Sequence, residues 1–150
     1  MEKAYLENIY DGIDLYFDFS FIDYEDVPIV FACHDLDWNL YLCNCTEIRY
    51  RQEWTIAKTT LEIIQLLFDQ EMPVYEALKA NGGIKYLASY EYRTNLFCTE
   101  KILFDDIPNS RLPEKSEPLK SINYESEDEF IKLKEKINYY NKNNTEVNNE

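Results

Sequence analysis

Glycine and histidine are scarce: the 150 residues include three glycines and a single histidine. Loops that cradle phosphate are built on glycine, so this supply excludes most of them. One imidazole likewise excludes most general acid–base machinery. No run approaches the roughly 18 apolar residues of a membrane span, and Met1-Glu2-Lys3-Ala4-Tyr5 has neither the basic patch nor the apolar stretch of a signal peptide. A soluble, cytoplasmic chain is expected. Cations are also short, with 15 Lys plus Arg against 29 Asp plus Glu, for a net charge of −14. Hydrophobic residues are not short. They make up 45 % of the chain, with 13 Tyr and 8 Phe, so a disordered acidic tail is excluded. The length suits one domain.

The charge is uneven. Residues 1–40 hold ten acids against Lys3 alone, whereas residues 41–104 are nearly balanced. Acids in the first segment alternate with Leu15, Phe17, Phe19, Phe21 and Ile22, so folding must bury the aromatics and leave carboxylates in water. One strongly negative face is the expectation. Such a face repels phosphates, which argues against direct nucleic-acid binding and against an anionic membrane. It attracts a basic protein such as a nuclease, a toxin or a nucleic-acid-binding effector. The competing reading is that acidity serves solubility.

The hydrophobic pattern predicts an α+β fold. Ile13 to Ile22 reads as a strand; Pro28 opens another at Ile29–Cys33, and His34 to Asn39 is a polar hairpin connection. Leu40–Cys45 returns, and Glu53–Ala57 follows a charged turn. Loops this short require antiparallel pairing. Thr59 and Glu62 have the spacing of a capping box ahead of a helix with Leu61, Ile64, Leu67 and Phe68 in register. Pro73 suits the first turn of a second helix, which Asn81-Gly82-Gly83 ends. Strict alternation marks Ile84–Tyr92 as a strand, paired with Leu96–Phe104. Residues 105–119 carry three prolines and read as an extended surface segment. A last amphipathic helix starts at Ser126, with Glu129 closing a second capping box and Phe130, Leu133, Ile137 and Tyr140 as its apolar stripe. The expected architecture is a single domain, 1–141, in which an antiparallel sheet carries two central helices and a C-terminal amphipathic helix. Residues 142–150 form a disordered polar tail.

Cys33, Cys43, Cys45, Cys98 and His34 are the residues that could ligate zinc. Cys43-Asn44-Cys45 is C-x-C, short of the C-x₂₋₄-C spacing of a structural site, and the preferred reading is small core hydrophobes. No metal, cofactor or disulfide is expected. Cys33 and His34 are adjacent on a strand and point to opposite faces, so they cannot form a nucleophile–base pair; His34 is read as a solvent-facing hairpin residue. Asp35-Leu36-Asp37 lacks the following Gly and the closing Glu of a calcium loop.

The candidate partner-binding residues are Asp11, Asp14, Asp18, Asp23, Glu25, Asp26, Asp35 and Asp37, with Trp38 as an aromatic anchor inside an acidic rim. A Trp38 folded back onto the sheet is the competing reading for that ring. The runner-up function is a small enzyme using two of the clustered carboxylates, as glycosidases do. A third is a module that assembles a complex or a homodimer.

Tyr10-Asp11, Asp26-Val27-Pro28-Ile29-Val30-Phe31, Leu40-Tyr41-Leu42, Trp54-Thr55-Ile56-Ala57, Thr60-Leu61-Glu62-Ile63-Ile64 and Met72-Pro73-Val74-Tyr75-Glu76-Ala77-Leu78 follow in an order that resembles a group of small bacterial proteins of unknown function, over about residues 5–80. That resemblance implies an arrangement of strands and helices and no activity. In size and acidity the chain also resembles anti-CRISPR and toxin-immunity proteins, which implies an inhibitor acting by protein–protein contact.

Overall fold

The computed structural model describes residues 3–148, with side chains described through residue 143. Seven strands form one antiparallel sheet in sequential order: β1 (Leu6–Tyr10), β2 (Ile13–Tyr24), β3 (Val27–His34), β4 (Leu40–Glu47), β5 (Arg51–Thr59), β6 (Ile84–Glu91) and β7 (Leu96–Leu103). Helices α1 (Leu61–Phe68) and α2 (Val74–Lys79) fall between β5 and β6, and α3 (Ser126–Asn148) closes the order. The α+β class and the antiparallel pairing agree with the sequence. The shape of the sheet does not: it curls into a barrel-like form rather than offering a flat platform to two helices.

Curling gives each face its own core. The inner face is filled by Leu15, Phe31, Cys33, Tyr41, Cys43, Cys45, Trp54, Ile56, Tyr86 and Ala88, together with Leu6 and Ile9 of β1. Outside, Phe19, Phe21, Val30, Ala32, Leu40, Leu42 and Ala57 meet Ile64 and Leu67 of α1, Ala77 and Leu78 of α2, and Phe130, Leu133 and Ile137 of α3. All three helices therefore share one layer on the convex face. Strands β3 and β4 are covered on both sides, which is why their sequences run apolar without alternation.

Two bulges control which side chain goes where. In β2, Phe17 opposes Cys33 while Phe19 opposes Ala32, so Asp18 is an extra residue in the ladder. The parity of the strand changes there. Phe17 packs against the inner core, and Phe19 and Phe21 belong to the outer one. In β1 the register shifts between Leu6 and Tyr10, with Asn8 at φ 52°, and the inward residues Leu6 and Ile9 stand three apart. That spacing hides β1 from a period-two reading.

The helix boundaries follow local chemistry, with two corrections. Thr60, not Thr59, caps α1: its hydroxyl accepts from Ile63 N at 3.2 Å, while Thr59 is the last residue of β5 opposite Leu40. Ser126 donates its hydroxyl to Asn123 O at 2.5 Å rather than closing a box with Glu129. Pro73 caps α2 from just outside it, and Asn81, Gly82 and Gly83 all take positive φ to end it. Lys85, only 1 % exposed, donates to the carbonyls of Ala80 and Gly82 at 2.9 Å each, and burial pushes its pKa down. Residues 105–119 run over the surface through 3₁₀ turns at Phe104–Asp106 and Asn109–Arg111. Arg111 pins this strap: its Nη2 donates to the carbonyls of Trp54 and Ala88 at 3.0 Å, its Nε pairs with Glu53 at 2.9 Å, and its carbonyl accepts from Thr55 Oγ1 at 2.5 Å. The backbone of α3 runs on to Asn148, through most of the stretch expected as a tail, because extending a nucleated helix costs little per residue. Residues 149 and 150 lie outside the described residues. Among those described, no helix is long and apolar enough to cross a membrane.

The α3 stripe ends at Tyr140. Leu133→Ala should therefore cost about 2–4 kcal/mol by denaturant unfolding, whereas truncation after Asn141 should leave the midpoint within error. The inner core also makes a pH prediction. Burial pushes the phenol of Tyr5 up to about 12 and raises those of Tyr41 and Tyr86 further, and it raises the thiols of Cys33 and Cys45. Unfolded, such groups ionise near 9.0 for a thiol and 10.0 for a phenol. Their contribution is thus complete below about pH 9 and is lost as pH rises through the folded values. Thermal midpoints should stay level up to about pH 8.5 and fall above it, and Tyr86→Phe should make the alkaline fall shallower.

Candidate functional site

The acids clustered in sequence do not gather in space. Strand β2 separates them: Asp14 and Asp23 are nine residues apart on it, about 30 Å at roughly 3.3 Å per residue. One group sits at the end of the sheet that carries the β1–β2 and β3–β4 turns. There Asp11, at φ 44°, pairs with Lys101 at 3.2 Å, and Asp14 accepts from Asn8 N at 2.8 Å. Asp35 is 4 % exposed and organises the β3–β4 turn: Oδ1 accepts from Asp37 N and Asn39 N, both at 2.9 Å, and Oδ2 accepts from Asn39 Nδ2 at 3.0 Å and Tyr41 OH at 3.2 Å. Asp37 is exposed beside it.

His34 is not solvent-facing. It is 7 % exposed, and its Nδ1 lies 2.9 Å from both carboxylate oxygens of Asp18. The bulge puts Asp18 on the outer face within reach of the imidazole. Trp38, held at φ 62°, folds back so that its ring stacks on His34 at 4.0 Å and 5°, with Tyr140 of α3 at 6.4 Å. Tyr16 covers His34 at 5.7 Å. Asp18 and Trp38 are therefore committed to internal contacts. No serine, threonine or cysteine among the described residues hydrogen-bonds His34, and Cys33 faces the opposite, inner side.

Cys33 opposes Tyr41, and Cys43 opposes Phe31. Cys33, Cys43 and Cys45 are buried in the inner core and Cys98 is exposed on β7; all four are free thiols. Among the described residues, no group of three or more His, Cys, Asp or Glu side chains converges as a metal site.

The other end of the sheet is where several carboxylates line one groove. Asp23, and Glu25 and Asp26 in the positive-φ turn after it, project from the β2–β3 hairpin beside the start of α3. Asn123 stitches the two together, its N donating to Phe21 O at 2.8 Å and its Nδ2 to Asp23 Oδ2 at 3.2 Å and Ser20 O at 3.3 Å. The groove between them, about 510 Å³, is lined by Asp23, Asp26, Glu125 and Glu129 with Phe17, Pro28 and Tyr124, and by no lysine or arginine. A second groove of about 400 Å³ adjoins it along α3; Glu125 and Glu129 line both, and it adds Asp18, Asp128, Lys132 and Lys136. Among the described residues none of Asp23, Asp26, Glu125 and Glu129 makes a salt bridge. Tyr124 stands 88 % exposed at the rim.

The α3 acids are the part of this groove that the sequence did not single out. Glu125-Ser126-Glu127-Asp128-Glu129 is visible as a run, but acids in a first helical turn are explained by the helix dipole alone. Their alignment with Asp23 and Asp26 rests on Asn123, about a hundred residues along the chain.

No protein-family model, curated protein or solved structure matches this chain.

The two kinds of acid should separate on substitution. Asp35→Ala removes the acceptor of four hydrogen bonds, one of them from the buried Tyr41 hydroxyl, and should cost about 2–4 kcal/mol, while Asp37→Ala, in the same turn, should stay within about 0.5 kcal/mol. Urea unfolding of both variants makes the comparison.

Proposed function

We propose that this chain is a non-enzymatic acidic binding protein that neutralises a partner by covering its basic, nucleic-acid-binding surface, in the manner of an anti-CRISPR or toxin-immunity protein. The observation that carries the reading is the groove between the β2–β3 hairpin and α3, where Asp23, Asp26, Glu125 and Glu129 line one opening that no lysine or arginine lines. Like charges held together at a surface raise the free energy of the unbound protein, and a cationic partner relieves this. The carboxylates occupy the positions that phosphates would take, and Tyr124 with the edge of Phe17 adds contact area that loses water on binding. Asp11 and Asp37, at the far end of the sheet, extend the field that steers encounter. Asp18, Asp35 and Trp38 contribute by holding the scaffold. The cytoplasm is the compartment where such a partner would be met.

Capture from the native host followed by mass spectrometry is expected to return a nuclease or another nucleic-acid-binding protein with a basic surface. With that partner in hand, Asp23→Lys/Asp26→Lys and Glu125→Lys/Glu129→Lys should each slow association by about tenfold at low salt and flatten its salt dependence, with a much smaller effect on dissociation. Circular dichroism and thermal melts should show the fold intact. Association rates unchanged in both pairs would assign the acidity to solubility instead.

A further inference from the structure

The curled sheet is closed along only part of its seam. Strand β7 pairs with β6 and β1 with β2; the two edge strands lie alongside each other without a ladder between them. At one end the seam is shut: Tyr10 stacks on Tyr86 at 4.4 Å and 5°, and Lys101 reaches both the Tyr10 ring, at 5.3 Å, and Asp11. At the other end the edges part around a cleft of about 500 Å³, within the range of small-molecule sites. Four aromatic residues line it, Tyr5, Trp54, Tyr90 and Phe97, with Gln52 and Glu7 at the polar rim.

One polar group in that wall is unmet. Trp54 is 4 % exposed, and its indole N–H has no acceptor among the described residues. A buried donor without a partner destabilises the fold, and a ligand oxygen would remove that penalty. The N–H is sealed from solvent, and the Phe97 ring, on edge strand β7, lies 6.3 Å from the indole, so an occupant reaches the donor by displacing that ring. The chemistry of the occupant follows from these features. Aromatic walls call for a flat ring system. The unmet N–H calls for an acceptor oxygen, and Gln52 together with the unpaired edge of β7 can meet an adjacent N–H. Glu7 and the overall charge of −14 disfavour an anion.

We propose that the open end of the β1/β7 seam binds a small, uncharged, planar aromatic molecule bearing an amide-like carbonyl, with Trp54 Nε1–H donating to that oxygen. This site is separate from the acidic groove and does not depend on it. The test uses quinolin-2-one as the probe and indole, a bicyclic ring without a carbonyl acceptor, as its control. Proton–nitrogen NMR of the full chain resolves the two indole N–H signals of Trp38 and Trp54. Quinolin-2-one should shift the Trp54 signal saturably, leave Trp38 unmoved and bind at least tenfold more tightly than indole. Trp54→Phe, which keeps a ring but removes the donor, should lower quinolin-2-one affinity about tenfold and leave indole unchanged. Should that variant fail to fold, the wild-type comparison of the two probes decides alone. Absence of a saturable shift, a shift confined to Trp38, or equal affinity for the two probes overturns the proposal.

Discussion

Burial of the β3–β4 hairpin on both faces is the constraint from which the rest of the architecture follows. From Val30 to His34 and from Leu40 to Cys45 no side chain remains on the surface, because Phe31, Cys33, Tyr41, Cys43 and Cys45 look into the barrel while Val30, Ala32, Leu40 and Leu42 look towards the helices. A sheet can bury both sides only by curling on one and accepting a second layer on the other. The curl requires the bulges in β1 and β2 and brings Tyr10 to Tyr86. The second layer requires α3, which follows β5 only after α1, α2, β6 and β7, to return and dock on Phe19 and Phe21.

With so much of the sheet committed to apolar contact, the carboxylates of a strongly acidic chain have few places to go. Some are absorbed. Asp18 holds His34, Asp35 builds the hairpin turn, and Glu53 takes both Arg51 and Arg111, so each buried charge has a partner or a set of donors. Others are left at the rim formed by the β2–β3 turn and the first turn of α3, in a groove that no lysine or arginine lines; Lys132 and Lys136 stand only in the groove that adjoins it along α3. The proposed function rests on this sorting: among the acids left on the surface, Asp23, Asp26, Glu125 and Glu129 line one groove. An inventory of acids along the sequence mixes the two kinds, as Asp35 and Asp37 demonstrate within a single turn.

What could be read in advance was what depends on neighbours in sequence. Continuous apolar runs announced β3 and β4; the Thr and Pro signals announced the starts of α1 and α2 to within a residue, while α1 ends at Phe68, short of Gln70; alternation announced β6. What could not be read depends on one residue of extra length or on distant contacts. The bulge at Asp18 turns Phe19 and Phe21 away from the face that Leu15 and Phe17 suggest, and the shift near Asn8 conceals β1 altogether. His34 looked polar and exposed because Asp18 and Trp38, which bury it, are brought in by pairing and by a left-handed backbone at Trp38. The groove was half visible: Asp23 and Asp26 stood out as acids, but their joining to Glu125 and Glu129 depends on the Asn123 bridge.

Native-state hydrogen exchange tests the double cover most directly. Amides at the central positions of β3 and β4, Phe31 opposite Cys43 and Ala32 opposite Leu42, bond alternately across the hairpin and to the strands flanking it, and should exchange only by global unfolding. Amides of the edge strand β7 should exchange orders of magnitude faster, through local opening. Comparable protection in β7, or exchange of the β3–β4 amides through local opening at one face, would contradict a sheet buried on both sides at its centre.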